Sequence, residues 1–165
     1  MLEIQSLEQD TDLWHQLLTQ EEAYFSSRQA FLTQSSNRLS IIKAALDNPS
    51  ERATALQLCL YLTESERLTL FDELIRLASV GHSDIELVRQ AILSLPLSWL
   101  STHIETVAES LLKKGTDEEY RRFLELYINI DEDLVQRLVK RALQHQDLDI
   151  REVGEDFKNY LKLKQ

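Results

Sequence analysis

Apolar residues recur along this chain at three- and four-residue intervals, and polar start signals recur between the apolar runs. Ser83–Gly115 reads as two amphipathic helices back to back, the first opening on a capping box of Ser83 and Glu86 and the second ending at Gly115. Similar units flank it. One series of helix starts runs Asn48, Ser83, Thr116 and Asp149, each followed three positions later by a glutamate: Glu51, Glu86, Glu119 and Glu152. A second series runs Thr63, Ser98 and Asp131, each 15 residues after a member of the first. The first amides of a helix need acceptors, so such residues mark helix starts. Their constant phase predicts a pair of helices repeated about every 33 residues.

The apolar positions keep the same time. Eight residues into each copy stand Leu56, Ala91, Leu124 and Phe157; at the twelfth stand Leu60, Leu95, Ile128 and Leu161. In the second helices Phe71, Leu74, Ile75 and Ala78 recur as Ile104, Val107, Ala108 and Leu111. Leu134, Val135, Leu138, Val139 and Ala142 continue that stripe. Seven helices are predicted: 48–62, 63–80, 83–95, 98–114, 116–128, 131–145 and 149–162. Pro96 ends the third of them, and Gly81 and Gly115 suit left-handed C-caps.

Residues 1–47 fall outside this frame. They predict a helix from about Asp12, a second carrying Tyr24, Phe25, Phe31 and Leu32 with a break at 34–37, and a third through Leu39, Ile42, Ala45 and Leu46. They read as an N-terminal helical cap continuous with 48–165, in one domain. Trp14, Tyr24, Phe25 and Phe31 are expected to pack as the cap's core, and any exposed remainder would be a docking surface.

Three glycines and two prolines in 165 residues agree with an all-α chain. The single cysteine, Cys59, excludes an internal disulfide and suits a cytoplasmic location. No secretory leader and no membrane span is read. The formal charge is −10, with the excess acid before Leu112. That balance disfavours nucleic acid as a partner, although Lys113, Lys114, Arg121, Arg122, Arg137, Lys140, Arg141, Lys158, Lys162 and Lys164 make the last third locally basic.

The motif at 84–91, Asp-Ile-Glu-Leu-Val-Arg-Gln-Ala, and its looser counterparts at 48–53, 117–122 and 147–154 resemble HEAT and HEAT-like repeats, including the short bilin-lyase type. The resemblance covers roughly 38–163. It implies a short right-handed α-α superhelix, a solenoid of antiparallel helix pairs with the Val-Arg helices on the concave face. The inward solvated positions would be Thr54, Gln57, Arg89, Ile92, Arg122, Glu125, Glu155 and Lys158, a partner-binding surface. Ile92 suits either an exposed contact or the core.

No catalytic constellation, cofactor motif or metal-ligand spacing is read. His15, His82, His103 and His145 are scattered; His103 is expected in the core, and His82 and His145 are expected to complement helix C-termini. Cys59 reads as a small buried hydrophobe. Asp131-Glu132-Asp133 reads as a cap with first-turn acids. The function expected is a non-enzymatic protein-binding scaffold or adaptor. The alternatives are a tetrapyrrole-type small-ligand lyase or chaperone and, third, nucleic-acid binding through the basic last third.

Overall fold

A computed structural model describes residues 2–163, with side chains from residue 8 onward. Among the described residues the chain is all-α: ten helices and no strand. They are α1 (Leu2–Gln34), α2 (Arg38–Asp47), α3 (Arg52–Cys59), α4 (Glu64–Thr69), α5 (Phe71–Ala78), α6 (Ile85–Leu93), α7 (Leu97–Leu112), α8 (Asp117–Tyr127), α9 (Glu132–Leu143) and α10 (Leu148–Leu163). The chain divides into two compact units, Met1–Ile41 and Ile42–Gln165, with the division inside α2.

The first unit is essentially one helix. Two helices with a gap were expected, but α1 runs unbroken over 33 residues. Its expected core aromatics are largely in solvent: Trp14 is 57% exposed, Tyr24 44% and Phe25 51%. Phe31 and Leu32, near the end of the helix, are half-buried. Few breakers interrupt the sequence, and Thr19, Ser27 and Thr33 each return a hydroxyl hydrogen bond to the carbonyl four residues back.

In the second unit the main contacts join helices one to three apart in chain order. α5 meets α6, α7 and α8; α3 meets α6; α8 meets α7, α9 and α10; α10 lies along α9. Leu56, Ala91, Leu124 and Phe157 are all buried, as are Phe71, Leu74, Ile75 and Ala78 and, further on, Leu134 to Ala142 at their stripe positions. The twelfth position is less regular. Leu95 is buried, Ile128 and Leu161 are half-buried, and Leu60, placed past the end of the short α3, is exposed.

The caps correct several expected starts. Thr63 and Thr116 form reciprocal capping boxes with Glu66 and Glu119, and Asp131 accepts from the Asp133 amide at 2.8 Å. Ser83 does not cap. The neighbouring His82 ring does so: its Nδ1 accepts from the Asp84 amide at 3.1 Å, with Nε2 at 3.1 Å from the Leu77 carbonyl. The ring thus links the end of α5 to the start of α6 through hydrogen bonds. The same device recurs where His145 Nδ1 accepts from the Asp147 amide.

Asp147, rather than Asp149, takes the last cap, accepting from the Asp149 amide at 2.9 Å. Asn48 accepts from the Ser50 amide, and a further turn precedes α3. Ser98 lies inside α7, which opens at Pro96. A helix expected over 63–80 is broken at Leu70, where the six-residue surface helix α4 ends on a tight i to i+3 contact and both Leu70 and Phe71 turn inward.

No described glycine has a positive φ, so the left-handed C-caps are absent. Gly81 is needed for closeness instead. A Cβ there would lie 2.8 Å from Arg122 Nη2 and 3.0 Å from Glu118 Oε1.

Candidate functional site: a polar network across α6 and α8

Three of the eight expected surface residues converge. Arg89 projects from the middle of α6 and is mostly covered, its side chain 14% exposed. Its guanidinium donates to Glu86 Oε1 at 2.6 Å on its own helix and to Glu125 Oε2 on α8. Arg122, one turn before Glu125, donates to the same oxygen at 3.1 Å. Two guanidinium groups thus share one carboxylate. The network continues through Arg122 to Glu118, whose Oε1 accepts the Gly81 amide at 2.8 Å.

Helix periodicity explains the convergence. Glu118, Arg122 and Glu125 lie at i, i+4 and i+7 on one face of α8, opposite the face that buries Tyr120, Phe123, Leu124 and Tyr127. Glu86 and Arg89 are one turn apart on α6. The Nε atoms of both arginines are buried with no hydrogen-bond partner among the described residues.

The other expected residues do not join it. Thr54 and Gln57 are exposed on α3. Glu155 and Lys158 pair with each other on α10 at 3.2 Å. Ile92 is fully buried, so its reading as an exposed contact is corrected; a short helix wedged between α3 and α5 buries a wide stripe.

Ion pairs between separate helices were missed in the sequence. Arg89–Glu125 and Arg121–Asp156 join α6 to α8 and α8 to α10. Lys43–Glu73 and Asp47–Arg76 join α2 to α5, while Glu105–Arg137 and Glu109–Arg141 join α7 to α9. Opposite charges spaced by about one repeat length would have revealed them. Arg121, Arg122, Arg137, Arg141 and Lys158, half of the basic residues named for the last third, are engaged in these and local pairs. Lys164 of that group lies outside the described residues.

The remaining candidates are quieter. Cys59 is fully buried, and burial pushes its thiol up to about 11, away from the thiolate a nucleophile needs. His103 is exposed rather than in the core. Its ring stacks on Trp99 with centroids 4.3 Å apart, and Trp99 in turn meets Phe71 edge-on at 4.9 Å. Among the described residues no cluster of three or more metal-ligating side chains occurs, and no helix is long and apolar enough to cross a membrane.

Comparison with known proteins gives no match. No family model, curated protein or solved structure is similar to the chain at the level searched.

Proposed function

We propose that the chain is a protein-binding scaffold: a short HEAT-like α-α superhelix that carries, on α1, a docking stripe for a basic, apolar-faced helix of another protein. The observation that carries this reading is the stripe itself. Leu13, Trp14, Leu17, Leu18, Tyr24 and Phe25 recur at helical spacing and are each between 41% and 57% exposed. The first unit holds, besides α1, only the start of α2, so it has no second layer of its own to cover them. A lone helix draws most of its stability from packing an apolar face, and large exposed apolar patches mark interaction sites.

Charge selects the partner. α1 carries Glu3, Glu8, Asp10, Asp12, Glu21 and Glu22 against the single Arg28, whose guanidinium lies over the Tyr24 and Phe25 rings at 5.6 and 5.3 Å. Two copies of so acidic a helix repel each other, whereas a basic amphipathic helix gains both burial and electrostatic steering.

The superhelix reading draws support from the second unit. Its helix contacts run to the adjoining copy, and its ion pairs join residues 29 to 36 positions apart in the cases of Arg76–Asp47, Arg137–Glu105 and Arg89–Glu125. That is the pattern of a stack in which each repeat touches its neighbours.

A tetrapyrrole ligand is less well supported. The cavity between α7 and α9 has a volume of about 160 Å³, below the roughly 300–1,000 Å³ of pockets for drug-sized molecules, and the hollow of about 330 Å³ along α1 is lined by the polar residues Asp12, His15, Gln16, Thr19 and Gln20. Nucleic-acid binding is disfavoured by the pairing of the basic residues with carboxylates.

The test is affinity capture with the purified chain and a Trp14→Glu/Phe25→Glu variant. The reading expects a protein with a basic amphipathic helix to be retained by the parent and lost with the variant. Retention of the same proteins by both would overturn it.

A further inference from the structure

Between α7 and α9 lies a second polar site, independent of α1 and of the scaffold reading. Glu105 and Glu109 stand one turn apart on α7, facing Arg137 and Arg141 one turn apart on α9. Arg137 holds Glu105 with a bidentate fork, Nε and Nη2 each donating at 3.0 Å to a different carboxylate oxygen. Arg141 donates to Glu109 at 2.5 Å and, through Nε, to the Tyr120 hydroxyl at 3.0 Å. These four side chains, with Leu112, Leu138 and Tyr127, wall the cavity of about 160 Å³.

Tyr127 is the unexplained member. It is 1% exposed, and its hydroxyl has no hydrogen-bond partner among the described residues. A buried hydroxyl left so is unfavourable, because it has given up water and gained no acceptor. Burial, with the carboxylates of Glu105 and Glu109, pushes this phenol up against the opposing pull of Arg141 and Arg137, so it is a neutral donor. The cavity therefore has a donor without an acceptor, between two carboxylates and two guanidiniums whose charges cancel.

That balance selects the ligand class. An anion that took Arg137 would release Glu105, and a cation that took Glu105 would release Arg137, each forfeiting one half-exposed ion pair. An apolar molecule would leave the Tyr127 hydroxyl as it is. A small zwitterion avoids all three penalties. We propose that the α7/α9 cavity binds a free α-amino acid with a small side chain, its carboxylate accepting from the Tyr127 hydroxyl and from the guanidinium N–H groups of Arg137 and Arg141 that are not given to Glu105, Glu109 and Tyr120, and its ammonium donating to Glu105 and Glu109. Leu112 and Leu138 form the apolar part of the wall.

The test is an NMR titration of the full chain with L-alanine, run beside acetate and ethylamine, which each carry half of its charge pattern. Saturable shifts of α7 and α9 resonances with alanine, and much weaker ones with either half, are expected. Tyr127→Phe should weaken alanine binding roughly 10- to 100-fold, the worth of a hydrogen bond to a charged group. Because Tyr127 is buried, Arg137→Gln, altering a half-exposed side chain, serves as a second variant: it should lose alanine and favour ethylamine over acetate. Equal responses to all three probes, no response to alanine, or unchanged alanine binding in both variants would overturn the proposal and leave the cavity to water.

Discussion

Arg89 of α6 donates to Glu125 of α8, 36 positions further along the chain, and Arg122 donates to the same carboxylate oxygen. Removing Glu125 would leave two largely covered guanidiniums facing each other. Glu125→Gln should therefore lower stability by about 1–3 kcal/mol, less than the loss expected for a fully buried pair. A double-mutant cycle of Arg89→Met and Glu125→Leu, followed by denaturant melts, should return a coupling of about 0.5–3 kcal/mol. Additive effects would mean that the two side chains do not meet.

The Thr116 cap should respond to acid. Partial burial alone would raise the Glu119 carboxyl, but the Thr116 amide and hydroxyl that donate to it hold its net pKa below the ordinary carboxylate value. A lowered folded-state pKa contributes stability that is present above the unfolded pKa, about 4.3. That contribution is lost as pH falls through the folded value. The melting temperature of the parent should thus exceed that of Glu119→Gln near neutrality and converge on it in acid. A gap that widened in acid would reverse the sign.

His82 acts as a cap acceptor, so His82→Ala should cost about 0.5–2 kcal/mol. His82→Asn should recover much of it, since an asparagine oxygen can also accept the amide two residues on. Equal melting temperatures for His82→Ala and the parent would show that the ring is dispensable.

Core substitutions should be severe. Leu124 and Ile92 are fully buried, and either residue changed to alanine should cost about 2–5 kcal/mol. In a stack of repeats such a change should also speed amide exchange in the adjoining helices, because each copy is held only by its neighbours. Exchange confined to the mutated helix would argue against that arrangement.

The sequence's legibility followed the physics of each feature. Burial at Leu56, Ala91, Leu124 and Phe157 was readable because a helix stripe is periodic and most of its members agree. Helix starts were less so. Ser83 and Asp149 carry the residue types and the glutamate spacing of a cap, yet the side chains that accept near these helix starts are His82, from the Asp84 amide, and Asp147, from the Asp149 amide. Ile92 lay at a position where a wide stripe and an exposed face overlap, and packing decided it.

The polar network was half visible. Arg89, Arg122 and Glu125 were singled out by their place on the helix, but their convergence needed Gly81's close approach and the relative placement of α6 and α8. The unpartnered hydroxyl of Tyr127 was invisible, since nothing local says which tyrosine lacks an acceptor.

The exposed stripe of α1 is tested most directly by the fluorescence of Trp14 in a Trp99→Phe background. The chain is titrated with a Lys/Leu heptad peptide and, separately, with a Glu/Leu peptide of the same length. Docking of a basic amphipathic helix predicts a saturable blue shift with the first and little with the second, abolished by Phe25→Glu. No shift with either peptide, or equal shifts with both, would contradict it.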